Sequence, residues 1–121
     1  MGMDLFIRII GRIPLAKRLV GLLFQRHLYQ RASVALVAEE LDYNADRVDN
    51  DHSPVNKFQH VLFAAWDAHH LDVHLRLHGN PELWAEVSGA YASLRVMSAG
   101  GHGPSADHLR SVSKRLHATL N

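Results

Sequence analysis

The segment from residue 55 to residue 79 constrains the fold most, because its apolar residues recur with a helical period. A helix places about 100° between successive side chains. On that projection one broad face, which we expect to pack in a core, contains Phe58, Val61, Leu62, Ala65, Trp66, His69, Val73 and Leu77. The pattern therefore predicts a helix over residues 55–79, with Ser53 as its N-cap and Pro54 at its first position.

The rest of the chain carries further helix signals and no strand pattern. A short helix is predicted from Met3 to Arg12, with Gly11 and Pro14 marking a turn or kink, and a long helix over residues 15–48 follows. Asn80, Pro81 and Glu82 form a start signal for a helix that ends near Gly100. Pro104 and Ser105 begin the last helix. We predict an all-α fold, an antiparallel bundle of about four main helices.

Charge divides the chain into an amino-terminal arm, residues 1–24, and a single bundle domain, residues 25–121. Through Arg31 there are six basic residues and one acidic residue, a charge of +5 in a chain whose total is +1. Many large apolar residues lie between the charges, which favours a membrane surface or a partner's apolar groove over nucleic acid. The predicted docking residues are Phe6, Arg8, Ile9, Arg12, Ile13, Lys17, Arg18, Leu22 and Phe24.

A membrane-spanning arm is disfavoured, because four basic residues near the bilayer centre would each cost about 2.5 to 3.5 kcal/mol. A cleaved signal peptide is disfavoured too, since charge interrupts the apolar run and no small-residue cleavage site follows. We therefore expect a cytoplasmic, membrane-peripheral protein. The alternative is an ordinary buried helix whose arginines reach solvent. Self-association is left open.

Histidines gather on the side of residues 55–79 opposite the predicted core face. Within this stripe Asp67, His70 and His74 lie on adjacent helical turns, and histidines four residues apart can share a zinc or iron ion. Three ligands from one helix are only part of a metal site. A solvated polar face is the favoured interpretation, so no cofactor is expected, and a metal-binding bundle is the alternative function.

Three polar residues are predicted to serve structure rather than catalysis. His69 projects among core residues, where an imidazole is most often hydrogen-bonded to a neighbour. Glu40 and Asn44 are four residues apart in an apolar helix and are expected to bond across to another helix, as a packing or register device. The chain has no cysteine and no nucleophile elbow of the Gly-x-Ser-x-Gly type. An enzyme is therefore not the favoured interpretation, and a non-catalytic interaction module is.

Several short motifs occur in a familiar order over residues 25–97. They are a basic stretch from Arg26 to Arg31, Ala38-Glu39-Glu40-Leu41-Asp42-Tyr43-Asn44, Ala65-Trp66, Pro81-Glu82-Leu83-Trp84 and Tyr91. In this order the chain resembles a bacterial helical domain often found after an amino-terminal membrane segment. The resemblance implies a bundle close to a membrane. The chain departs from that pattern in its arm, where such proteins carry a cleaner apolar span.

Overall fold

The fold is all-α, as the sequence predicts. The structure, a computed structural model, describes residues 2–50 and 61–121, with side chains described from Lys17 to Asp49 and from Val61 to Asn121. Four helices occur in this part of the chain: α1 (Gly2–Asn50), α2 (Ala64–Arg76), α3 (Pro81–Ser98) and α4 (Ala106–Ala118). No strand occurs among the described residues.

The first helix is much longer than its three partners. It has 49 residues, whereas α2, α3 and α4 have 13, 18 and 13. At about 1.5 Å per residue the shorter helices span less than half of α1. The predicted separate helix from Met3 to Arg12 is wrong, because α1 continues through Gly11 and Pro14. A proline removes one backbone donor from a helix, which bends it more readily than it ends it.

Neighbouring helices of the bundle run antiparallel. Near the end of α1, Asp46 and Asp49 accept hydrogen bonds of 3.0 and 2.9 Å from Arg110 in the first half of α4. Further back on α1, Arg31 donates to the Leu120 carbonyl, just past the end of α4. Helix α2 also lies beside α1, and α3 contacts both α2 and α4. The result is an up-down-up-down bundle with α1 and α3 at opposite corners.

All four helices and the segment before α2 contribute to one apolar core. Among the described side chains, those that α1 contributes lie in its carboxyl-terminal half, and α3 contributes the largest share. The buried apolar residues are Val34, Val37, Ala38, Leu41, Ala45, Val61, Val73, Leu77, Leu83, Val87, Ala90, Tyr91, Leu94, Met97, Ala106, Leu109, Val112 and Leu116. Among the described side chains of α1, burial begins at Ser33, although His27 and Tyr29 still contact Arg76 and His69 of α2.

The capping residues predicted at the starts of α3 and α4 are confirmed. The Asn80 side chain accepts a hydrogen bond of 3.2 Å from the Leu83 amide, and Ser105 accepts one of 3.1 Å from the His108 amide. Helix α3 ends where the glycines begin. Gly100 has a φ of 94°, and the Gly101 amide bonds back to the Val96 carbonyl at 2.9 Å.

The predicted helix over residues 55–79 is too long at its amino-terminal end. Val61 to Phe63 are not helical, and α2 begins at Ala64 with Phe63 in the N-cap position. Leu62, expected in the core, is exposed, while Trp66 and His69 are only half-buried. Ser53, Pro54 and Phe58 lie outside the described residues. Side chains of α1 explain why α2 begins only at Ala64.

Candidate functional site

Two polar side chains of α1 hold the beginning of α2. We call Glu40 and Asn44 the α1 clamp; they are 7% and 0% exposed within an otherwise apolar face. Their spacing of four residues places them on adjacent turns of the same face. Both point toward the Leu62–Trp66 backbone. Their spacing predicted bonds across to another helix, and the structure shows which groups they bond.

Glu40 supplies the cap that α2 lacks locally. Its carboxylate accepts hydrogen bonds from the amides of Ala65 at 2.7 Å and Trp66 at 3.1 Å. Phe63, in the N-cap position, has no side-chain group to offer. The first amides of a helix have no partner within it, and its amino-terminal end favours negative charge. A carboxylate from a different helix therefore fixes where α2 begins.

Asn44 holds the chain just before α2. Its amide oxygen accepts from the Leu62 amide at 2.7 Å, and its amide nitrogen donates to the Leu62 carbonyl at 2.9 Å. The two bonds satisfy both backbone groups of one residue, as a neighbouring strand would. This arrangement keeps Leu62 in a non-helical conformation, and its side chain is 45% exposed as a result.

A tyrosine from the opposite corner of the bundle completes the clamp. The Tyr91 hydroxyl donates to Glu40 at 2.8 Å, and its ring is 1% exposed. Burial first, and the Glu40 carboxylate second, raise the pKa of the Tyr91 phenol above its usual value near 10. One carboxylate thus links α1 to both α2 and α3. Nothing in the sequence pairs Tyr91 with Glu40, so this link was not predicted.

The raised pKa of Tyr91 predicts a loss of stability in alkali. An unfolded tyrosine ionises near pH 10, whereas the folded one stays protonated. The stabilisation is therefore fully present below pH 10 and declines as the pH rises above it, by up to about 1.4 kcal/mol per unit. Urea unfolding between pH 8 and pH 11 measures this slope. It should be shallower in Tyr91→Phe, and equal slopes in the two proteins would contradict the prediction.

Next to the α1 clamp, aromatic rings of α2 and α3 form a continuous stack. Trp66 stacks on Tyr91 with ring centroids 4.6 Å apart and on Trp84 at 5.5 Å. Trp84 in turn stacks on His74, at 4.2 Å with an angle of 13° between the rings. The buried end of the stack is Tyr91 and the exposed end is His74. These rings fasten α2 to α3, whose backbones make few close contacts.

The histidine stripe is dispersed among separate contacts. Asp67 pairs with Arg95 of α3, His70 bonds through its Nδ1 atom to the Trp66 carbonyl at 2.9 Å, and His74 stacks on Trp84. Within the described part of the chain, no three histidine, aspartate or glutamate side chains are grouped so that they can hold one metal ion. His60 lies outside that part. Metal binding therefore stays a prediction, and no grouping of these described side chains supports it.

Replacing His70 and His74 together by glutamine is expected to change stability little. His74 is exposed, and exposed substitutions usually alter the free energy of unfolding by no more than about 0.5 kcal/mol. The half-buried His70 and the lost ring stacking add to this cost, and we expect the total loss of stability to stay below about 1.5 kcal/mol. Thermal melts with and without added zinc measure the effect. A zinc-dependent rise in melting temperature in the wild type alone would favour the metal alternative.

His69 lies beside α1, where a small polar group faces it. Its Nδ1 atom is 3.1 Å from the Ser33 hydroxyl, and that hydroxyl is also 3.3 Å from a carboxylate oxygen of Asp72. The imidazole is half-buried rather than enclosed. The contact therefore fastens the middle of α2 to α1, one to two turns beyond the clamp.

The part of α1 before the bundle exposes its side chains on every side. From Lys17 to Tyr29 each residue is exposed, including the predicted docking residues Lys17, Arg18, Leu22 and Phe24. The other predicted docking residues lie outside the described side chains: Phe6, Arg8, Ile9, Arg12 and Ile13. The alternative of an ordinary buried helix is not what the structure shows for residues 17–29.

Comparison with known protein families, curated proteins and solved structures found no match. The resemblance over residues 25–97 therefore stays a prediction. None of the described helices has a stretch that is both long enough and apolar enough to cross a membrane. The exposed arm and the clamped bundle that carries it are the features on which a function can be argued.

Proposed function

We propose that this chain is a non-catalytic docking module whose arm binds an anionic membrane surface. The observation that carries the proposal is the exposure of large apolar side chains among basic ones in α1. Leu19, Val20, Leu23 and Phe24 are 53%, 66%, 68% and 60% exposed. Single exposed apolar residues are common on proteins, but contiguous ones mark an interaction surface.

Four of the five large apolar side chains of the described arm, all except Leu22, share one side of the helix. At about 100° per residue, these four residues fall within an arc of about 140°, which we call the apolar arc. Lys17, Arg18 and Arg26 project outside it. This division is that of an amphipathic helix at a lipid interface, where apolar groups enter the acyl boundary and basic groups meet the headgroups.

The energies favour an anionic surface over a neutral one. Full burial of a leucine, valine or phenylalanine side chain contributes about 1.5 to 3 kcal/mol, and partial insertion contributes less. Each lysine or arginine near an anionic leaflet adds about 1 kcal/mol. With only four residues in the apolar arc, the basic residues decide whether binding is measurable. Binding should therefore weaken as salt is added.

The position of the apolar arc also restricts how the arm meets a membrane. On the same projection the apolar arc lies at the same angles around the helix axis as Val34, Ala38 and Leu41, which face the core further along α1. The bundle therefore lies on the same side of α1 as the arc. An arm lying flat would press the bundle into the lipid, so we infer that the arm enters tilted, with its amino-terminal end deepest.

Vesicle flotation tests this proposal. We expect the full chain to float with phosphatidylserine-containing vesicles in low salt and to remain behind in 0.5 M salt or with phosphatidylcholine alone. Replacing Leu23 and Phe24 together by glutamate should abolish flotation. Deleting residues 1–24 should do the same while leaving the rest helical.

The control substitution is Leu71→Glu on α2, an equally exposed leucine at 67% that lies outside the arm. It should float as the wild type does. Flotation that survives both the double substitution and the deletion would contradict the proposal. A wild-type chain that never floats but elutes with a protein partner would instead indicate that the arm docks in a protein groove.

A further inference from the structure

A second apolar pattern lies along α1 on the side that α2 and α4 leave mostly uncovered, although one of its members, Tyr29, has its ring centroid 6.5 Å from that of His69 on α2. Residues there follow the alternating spacing of three and four that is typical of a coiled-coil seam. We call this set the outer face: Arg18, Leu22, Gln25, Tyr29, Ala32, Leu36, Glu39 and Tyr43. Every member is exposed, and its four large apolar residues are Leu22 at 61%, Tyr29 at 63%, Leu36 at 45% and Tyr43 at 37%.

The bundle leaves most of the outer face free because α2 and α4 pack mainly on other sides of α1. Helix α2 is held through Ser33, Glu40 and Asn44, and α4 through Ser113, whose hydroxyl bonds to the Ala38 carbonyl at 2.9 Å. On the helical projection most of the outer face lies between these two sides, whereas Leu22 shares the azimuth of Glu40 and Tyr29 lies about 20° from it, beside His69 of α2. A further helix can therefore lie along α1 without displacing either neighbour.

The charges of α1 indicate what that further helix is. Residues 17–31 contain Lys17, Arg18, Arg26 and Arg31 and no acidic residue. Residues 39–49 contain five acidic residues and one basic residue, Arg47; Glu40 is buried, Asp46 and Asp49 pair with Arg110 of α4, and Glu39 lies on the outer face. A second copy of α1 placed antiparallel sets the basic half of each helix beside the acidic half of the other. A parallel copy would oppose like charges.

We propose that a second copy of this chain packs antiparallel along the outer face. In the register that aligns the two seams, Tyr29 lies against Ala32 of the second copy, and Leu36 lies against its Gln25. Leu22 then covers the stem of Glu39. Tyr43, whose ring centroid is already 5.1 Å from the Arg47 guanidinium carbon, meets Arg18 as a second cation. Large residues thus oppose small or long-stemmed ones, as interdigitated helices require.

This inference goes beyond the proposed function and does not depend on it. The apolar arc and the outer face share no residue, and Arg18 is the one residue that both proposals use, so one chain can present the arc to lipid while its outer face is covered. In an antiparallel pair the two arms extend in opposite directions, which places one arm at each end of the dimer. Either surface can fail its test while the other succeeds.

Sedimentation equilibrium of the full chain tests the pairing. We expect a reversible dimer in low salt, with Leu36→Glu raising its dissociation constant at least tenfold. Leu71→Glu, outside the outer face, should leave the constant unchanged. Since Leu36 is already half exposed, circular dichroism should show both variants folded. A monomeric wild type at 100 μM, or equal constants for wild type and Leu36→Glu, would overturn the inference.

Disulfide trapping tests the direction of the pair, because the chain has no cysteine of its own. A disulfide needs Cβ atoms about 3.5 to 4.5 Å apart. Gln25→Cys mixed with Leu36→Cys should give a disulfide-linked dimer that joins the two different variants, and neither alone should link efficiently. Efficient linking of each variant with itself would show a parallel pair. Mixing either with Glu82→Cys, on α3, gives the background rate.

Discussion

Replacing Glu40 by alanine is expected to lower the free energy of unfolding by about 3 to 5 kcal/mol, the largest effect of any single polar substitution proposed here. The carboxylate accepts bonds from the amides of Ala65 and Trp66 and from the Tyr91 hydroxyl. Hydrogen bonds to a charged group contribute about 1.5 to 3 kcal/mol each, and buried donors left without a partner cost more still. Urea unfolding followed by circular dichroism measures the loss.

Glu39→Gln is the matched control for that experiment. It removes the same charge one residue away, from a side chain that is exposed, and should change stability by no more than about 0.5 kcal/mol. Glu40→Gln should fall between the two, because its amide retains one acceptor but turns a donor toward the α2 amides. Equal stability of Glu40→Ala and Glu39→Gln would mean that Glu40 does not cap α2 in solution.

Trp66→Ala is expected to cost about 2 to 4 kcal/mol. Removing a fully buried tryptophan costs about 3 to 5 kcal/mol, and Trp66 is only half-buried. Its ring nevertheless stacks on Tyr91 and on Trp84, and aromatic pairs add about 0.5 to 1.5 kcal/mol beyond the buried area. Because the stack joins α2 to α3, its loss should loosen that contact before the others. Thermal and urea unfolding of the variant measure the effect.

Leu71→Ala on α2 provides the comparison, since its side chain is 67% exposed and should cost less than about 1 kcal/mol. Trp66→Phe should recover part of the lost stability, because a smaller ring can still stack on Tyr91. A Trp66→Ala variant no less stable than Leu71→Ala would show that the stack does not join the two helices in solution.

The sequence was informative wherever a structure is determined by residues close together in the chain. Asn80 and Ser105 cap the helices that follow them, and the apolar period of α3 places Leu83, Val87 and Leu94 in the core. Each of these features depends on spacing within a turn or two. The fold class follows from the same local signals.

The start of α2 was not predictable in this way, because its cap comes from another helix. The apolar period continues through Val61 and Leu62, and a prediction from neighbouring residues therefore starts the helix before Ala64. Glu40 and Asn44 override that preference from more than 15 residues away. Their spacing indicated a bond to another helix, but not which backbone groups would be bonded.

The two candidate surfaces, the arm and the outer face, also differ in how far the sequence predicts them. The arm was recognisable from charge and apolar content, and its described side chains are exposed. The outer face was hidden in the sequence, because α1 carries apolar residues on nearly every side and no single period stands out. Only the packing of α2 and α4 shows which of those residues the bundle buries and which it leaves free.

A fluorescence measurement on the arm tests whether its apolar residues enter lipid. The absence of cysteine allows one environment-sensitive dye to be attached at Phe24→Cys, with a dye at Leu71→Cys as the reference position. On addition of phosphatidylserine-containing vesicles, the dye at residue 24 should shift to shorter wavelength and brighten, and 0.5 M salt should reverse the change. The dye at residue 71 should not respond. An unchanged spectrum at residue 24, or equal changes at both positions, would contradict docking through the arm.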